Sequence, residues 1–151
     1  MRITRVLSLL IALLALFVLT GGCSDPAKIP ENEEVSIMRI VIGDYEFEAV
    51  LEDSPAADAL KEQLPLELSM SELNGNEKYN YLDFNLPTDA YSPGQFQAGD
   101  IMLYGDSCLV VFYESFSTPY SYTRIGHIED VTDLQTAVGG GSVQMLFEAE
   151  E

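Results

Sequence analysis

The chain has 151 residues, 25 acidic against seven basic, giving a formal net charge of −18 at neutral pH, with one histidine, two cysteines and no tryptophan. A surface of that sign repels polyanions, which excludes a nucleic-acid partner, and the histidine and cysteines are too few for a structural zinc site. The acidity suits solubility and repulsion from an anionic membrane face, and it leaves room for a cationic partner.

Arg2 and Arg5 precede an apolar run from Val6 to Val18, which ends in Leu19-Thr20-Gly21-Gly22-Cys23. A short positive segment, a short hydrophobic segment and small residues are the three parts of an export signal. The run falls below the roughly 20 residues that span a bilayer, which argues against a permanent membrane helix. Gly21-Gly22 before a cysteine resembles a bacterial lipobox, with Thr20 where leucine is usual. Residues 1–22 are therefore expected to be a lipoprotein signal peptide, and Cys23 the acylated mature N-terminus. Several tens of buried methylenes at about 0.8 kcal/mol each would make release from the membrane negligible. The expected location is the cell envelope, lipid-anchored to the membrane on its extracytoplasmic face. Loss of the signal removes two basic and no acidic residues, leaving five against 25, or −20.

Residues 23–34 are expected to be the lipidated Cys23 and a flexible linker, since Ser24 to Glu34 is polar, proline-containing and unable to bury enough apolar surface to fold. Residues 35–149 are left for one domain with its own core. Val35–Ile42 and Tyr45–Glu52 flank Gly43-Asp44; the second arm alternates Tyr45, Phe47, Ala49 and Leu51 with acids, which predicts a hairpin with one buried face. Ser54-Pro55 supplies a helix cap and a first-turn proline, and Ala57, Leu60 and Leu64 keep helical spacing until Pro65. Leu66, Leu68 and Met70 return to strand alternation, Asn74-Gly75-Asn76 turns, and Lys78–Leu82 predicts the next strand. Asp83–Gly99 is an extended connection long enough to be a functional or covering loop. Ile101–Tyr104 and Ser107–Tyr113 are expected to pair across a two-residue Gly105-Asp106 turn, both nearly all apolar and hence central. Cys108, in the second of them, is expected to be an inert buried thiol, and with Cys23 acylated it has no disulfide partner. Arg124–Ile128 predicts a strand. Asp130 is expected to cap a short helix carrying Val131, Leu134 and Val138 that stops at Gly139-Gly140-Gly141, and Val143–Glu148 is the last strand. About eight strands and two short helices, without a strand-helix alternation, predict a mainly β fold: a closed, mostly antiparallel eight-stranded barrel with helical lids.

Catalytic and metal motifs are sparse. Asn74-Gly75-Asn76-Glu77 lacks the spacing of a calcium loop and suits a turn. No nucleophile elbow, phosphate loop or dinucleotide fingerprint occurs, so no metal, cofactor or catalytic residue is assigned. His127 lies in strand-like Ile125-Gly126-His127-Ile128, where a satisfied or solvent-facing histidine is the expectation. The segment with the best claim to a role is Ser115–Arg124, which has no acid and concentrates rings and hydroxyls beside Arg124. Candidate ligand-binding residues are Arg124, Tyr120, Tyr122, Phe116 and, from the preceding hairpin, Tyr104. The shared parity of Tyr120, Tyr122 and Arg124 equally suits one plain strand face with Arg124 paired to an acid.

Leu73–Tyr79, Ala98–Gly105 and Ser115–Gly126 resemble recurring segments of the bacterial cyclophilin-like domain, a family of small barrels found in lipoproteins or beside flavodoxin-type proteins. The resemblance implies an eight-stranded barrel closed by two helices. The Phe-His-Arg signature of true cyclophilins is missing, so no catalytic residue transfers. The expected role is a surface-anchored binding module for a small ligand or an extended peptide, using the tyrosine-rich loop and Arg124. The alternatives are a prolyl isomerase for exported proteins and an accessory subunit of a membrane redox or transport system. Expected partners are the membrane, through the anchor, and a peptide or protein; the domain itself is expected to be monomeric.

Overall fold

The computed structural model describes residues 35–150; the expected signal peptide, Cys23 and the linker to residue 34 lie outside the described residues. Strands β1 (Ile37–Ile42) and β2 (Tyr45–Leu51) form a hairpin across Gly43-Asp44, pairing Ile42 with Tyr45, Ile40 with Phe47 and Met38 with Ala49. Successive strand residues face opposite ways, so Met38, Ile40, Phe47 and Ala49 are buried while Arg39, Glu46 and Glu48 meet solvent. Gly43 adopts φ +59°, which a two-residue hairpin turn of this kind requires. Helix α1 (Pro55–Lys61) begins at Ser54, whose Oγ accepts the Ala57 N–H at 3.2 Å, and buries Ala56, Ala57 and Leu60 in the same core.

The chain continues as β3 (Leu66–Leu73), β4 (Glu77–Tyr81), β5 (Gln95–Phe96), β6 (Asp100–Tyr104), β7 (Cys108–Phe112), β8 (Phe116–Ser117), β9 (Thr123–Ile128), α2 (Leu134–Val138) and β10 (Val143–Ala149). Eight of these strands close into an antiparallel barrel in the order β1-β10-β3-β4-β7-β6-β9-β2. The mainly β barrel with two short helices is thus the fold. Its interior is filled by apolar side chains from seven of the eight strands, β4 being the exception, among them Met38, Ile101, Leu109, Ile125 and Phe147. Where β2 crosses β9, a Cβ on Gly126 would lie 2.3 Å from the Val50 carbonyl oxygen, so the closure leaves no room for a side chain.

β6 and β7 are buried on both faces, which is why they read as continuous apolar runs. Ile101, Leu103, Leu109 and Val111 point into the barrel; Met102, Cys108, Val110 and Phe112 form a second cluster outside it with Phe96 and Tyr122. The long connection 83–99 covers that outer cluster. It does so by pairing β5 with β8, by reciprocal backbone hydrogen bonds between Tyr91 and Tyr122 (3.0 and 2.9 Å), and by Asp89 N–H donating to Thr123 Oγ1 at 2.9 Å. Two-residue strands are too short to leave a periodic signal in the sequence.

Two expectations need correction. The turn between β6 and β7 has three residues: Tyr104 pairs with Cys108 rather than Ser107. The Asp106 and Ser107 carbonyls instead accept the Leu86 and Leu82 N–H groups at 2.7 and 2.8 Å, tying down the connection after β4. That one-residue difference places Cys108 on the outer face beside Tyr104. Helix α2 starts at Leu134, later than a cap at Asp130 would give. Asp130 Oδ1 accepts the Thr132 N–H at 2.9 Å and its hydroxyl at 2.6 Å, a local turn that competes with capping.

One polar group sits within the apolar wall. Lys78 on β4 has no exposed surface; its ammonium donates to Glu72 Oε2 at 2.5 Å and to the carbonyls of Gly139 and Gly141 at 2.9 and 2.5 Å. It also lies 5.3 Å from the Tyr113 ring centre, and the Tyr113 hydroxyl donates to both Glu72 oxygens at 2.9 and 3.0 Å. The glycine stop after α2 is thereby bound to β4.

Candidate functional site

Neighbours on β4 point opposite ways, so while Lys78 faces inward, Glu77, Tyr79 and Tyr81 line the outer face. Cys108 and Val110 of β7 extend that floor, Tyr104 stands at the end of β6, and the segment after β7 contributes Phe116, Tyr120 and Tyr122 as a wall. Together they enclose a half-open cleft of about 330 Å³. Its rings touch one another: Tyr104 meets Tyr120 edge-on at 6.2 Å and Tyr122 at a tilt at 5.3 Å between centres, and Tyr79 meets Tyr81 edge-on at 6.1 Å. Behind them Phe96 stacks on Phe112 at 4.1 Å and abuts Tyr122 edge-on at 4.8 Å, which fixes the Tyr122 ring. Tyr81, Tyr104 and Tyr120 are nevertheless 66, 44 and 60 % exposed, so ring faces are presented to solvent at one place.

Glu77 is the acid of this cleft. Only 6 % of it is exposed, and among the described residues its carboxylate makes no hydrogen bond and no salt bridge. Burial pushes its carboxyl above the ordinary glutamate range, and the charge of Glu72 adds to the push. Burial also raises the Cys108 thiol, with Glu77 adding and a hydrogen bond from Tyr81 opposing. The Tyr122 hydroxyl is pushed up to about 12, first by burial and then by Glu77. Thiol and phenol therefore stay protonated near neutrality, in keeping with an inert Cys108.

Four of the five candidate binding residues, Tyr104, Phe116, Tyr120 and Tyr122, converge on this cleft; Arg124 does not line it. Arg124 shares the outer face, pairing with Met102 beside a bulge, but its Nε donates to Glu52 Oε1 at 2.7 Å and its Nη2 lies 3.4 Å from Asp100 Oδ1. His127 does not reach the cleft either; its Nε2 lies 3.7 Å from Glu129. Glu77, Tyr79, Tyr81 and Cys108 were not among the candidate binding residues, although Glu77, Tyr79 and Tyr81 recur at period two and so share a face in any strand register.

A second concavity of about 480 Å³ lies at the β1–β2 hairpin and the segment before α2, and its rim is acidic, with Glu46, Glu48, Glu129, Asp130, Asp133 and Glu150. Its one cation, Arg39, is drawn off by Glu148 at 2.5 Å and Glu46 at 3.7 Å. Among the described residues no group of three or more His, Cys, Asp or Glu side chains could hold a metal ion. Convergent rings and a buried, unpartnered acid single out the smaller cleft.

The model of a cyclophilin-like family matches residues 40–148, a span that contains the whole cleft. No curated protein matches the chain.

Proposed function

This chain belongs to the cyclophilin-like family, and on that premise we propose that it is a binding module for a small ligand or an extended peptide segment, held on the extracytoplasmic face of a membrane by acyl chains on Cys23. The anchor rests on the sequence of residues 1–23. The binding role rests on one observation: six aromatic rings from β4, β6 and the segment after β7 converge on a single half-open cleft. Its volume lies at the lower end of the roughly 300–1,000 Å³ typical of ligand sites, enough for a small solute or one or two side chains of a peptide. Tyrosines give large rigid contact area with a polar tip, at little cost in conformational entropy. Leaving three of them exposed side by side runs against solubility unless something docks there. An isomerase reading asks for a free guanidinium at the cleft, and Arg124 is committed to Glu52 and Asp100.

The test uses the full chain in mild detergent and a panel of tryptophan-bearing peptides. The protein has no tryptophan, so emission reports on the peptide alone. Tyr104→Ala with Tyr120→Ala is expected to weaken a captured peptide at least about tenfold, a hot-spot effect, while the melting temperature holds. Unchanged binding in the double variant removes the cleft from consideration, and a large fall in melting temperature makes both rings structural.

A further inference from the structure

Resting on the reading of the cleft as a binding site, we propose that its ligand carries a fixed positive charge: an ammonium group, seated against the tyrosine faces with the Glu77 carboxylate as its counter-charge. Three observations converge. An acid that is 94 % buried normally has a partner, because an unpaired buried charge is costly; Glu77 has none among the described residues although its carboxyl lines an open cleft. The fold denies it one by construction. Lys78, the adjacent residue, faces the barrel interior and is consumed by Glu72 and two glycine carbonyls. Arg39 serves Glu46 and Glu148, and Arg124 serves Glu52 and Asp100.

The second observation is the kind of wall that surrounds the acid. Tyr79, Tyr81, Tyr104, Tyr120 and Tyr122 line the same cleft, and the negative face of a phenol ring attracts a cation within about 6 Å of its centre. Rings around one carboxylate form a cage that holds an alkylated ammonium better than a hydrated point charge, because the apolar N-substituents meet the rings while the charge meets the acid. The third is the long-range field: 25 acidic against seven basic residues draw cations towards every concavity. The acidic concavity at the β1–β2 hairpin shares that field, but only Tyr45 and Phe47 bring rings to it, and Arg39 already sits among its acids.

Two sources supply this chemistry: a small soluble quaternary amine, and a trimethylated lysine on a peptide. The experiment takes the full chain in a maltoside detergent, which brings no ammonium of its own, and titrates it with choline and with a short trimethyl-lysine peptide. Each is paired with its neutral isostere, in which carbon replaces the charged nitrogen. The expected result is that at least one cation binds and that its isostere binds at least about tenfold more weakly, the scale of a desolvated cation–π contact. Glu77→Gln should abolish that preference without loss of fold, since it removes an unpaired buried charge. Binding of choline assigns a small solute; binding of the peptide alone assigns a protein ligand.

Binding of the cation should also weaken in acid as Glu77 takes up a proton. The other titratable groups facing the acid are Cys108, Tyr79, Tyr81, Tyr104, Tyr120 and Tyr122, which line the cleft with it, and Glu72, which acts on it through its charge. Equal binding of cation and isostere overturns the charge assignment and leaves the binding module standing. Failure of all four probes also overturns the charge assignment, and the module then stands or falls on the tyrosine variants and the peptide panel.

Discussion

Replacing Lys78 with methionine tests whether the buried ammonium holds the end of the barrel together. Methionine restores most of the apolar stem, so the change isolates the charge and its donors. Removing one member of a buried ion pair costs about 3–5 kcal/mol when the other is left stranded. Glu72 has 23 % of its side chain exposed and keeps the Tyr113 hydroxyl and the Gly75 N–H at 2.7 Å, so water and these donors relieve part of that penalty. The carbonyls of Gly139 and Gly141 lose a charged donor, each such bond being worth about 1.5–3 kcal/mol before solvent replaces it. The balance is a loss of about 3 kcal/mol, or roughly 10–15 °C in melting temperature for a domain of this size. The pH dependence carries a sign as well. Burial pushes the Glu72 carboxyl up, but Lys78, Tyr113 and the Gly75 amide outweigh it and hold the group below its ordinary value. A carboxyl lowered in the folded state adds stability above the ordinary glutamate range near pH 4.3, and that stability is lost as pH falls through the folded value. Urea denaturation followed by circular dichroism at neutral and acid pH is the assay. Lys78→Met should lower the midpoint at neutral pH and flatten the acid-dependent loss. A change under about 1 kcal/mol at neutral pH, or an acid slope equal to wild type, refutes the reasoning.

Phe96→Ala removes the fully buried ring that pins the 83–99 cover to Phe112 and Tyr122, a truncation worth about 3–5 kcal/mol if the whole domain senses it. Hydrogen exchange should show lost protection at the mutually bonded Tyr91 and Tyr122 amides before the barrel strands respond; retained protection there would mean that the backbone pairs alone hold the cover. Gly126→Ala drives a Cβ against the Val50 carbonyl, backbone that cannot swing aside, and should cost about 1–3 kcal/mol in chemical denaturation. An unchanged midpoint would show that β2 and β9 can separate without penalty.

The barrel was legible because most of its walls are locally encoded. Phe47, Ala49 and Leu51 pair with inward residues of β1 and β9 by strict alternation, Gly43 marks its turn, and Ser54-Pro55 starts α1 with a side-chain cap and a residue that needs no amide partner. The register of β6 and β7 was not, because both faces of these strands are apolar and a slip of one residue changes nothing in the pattern. Contacts from outside the hairpin hold it: the carbonyls of Asp106 and Ser107 accept from Leu86 and Leu82, and β4 and β9 pair along its two edges. The same holds for Arg124: its proximity to the tyrosines along the chain said nothing of Glu52, 72 residues away, which takes its guanidinium.

Taken alone, the sequence determined the signal-like N-terminus, the acidic balance, the class of fold and the tyrosine-rich segment, all properties of composition or of spacing within one strand or helix. What the closed barrel decided was which outward residues of β4, β6 and β7 share a wall with that segment, and that the acid at position 77 would be buried there while the lysine beside it turned inward. Such pairings join residues far apart in the chain, and they are fixed by the order and register in which strands close, which no local period records.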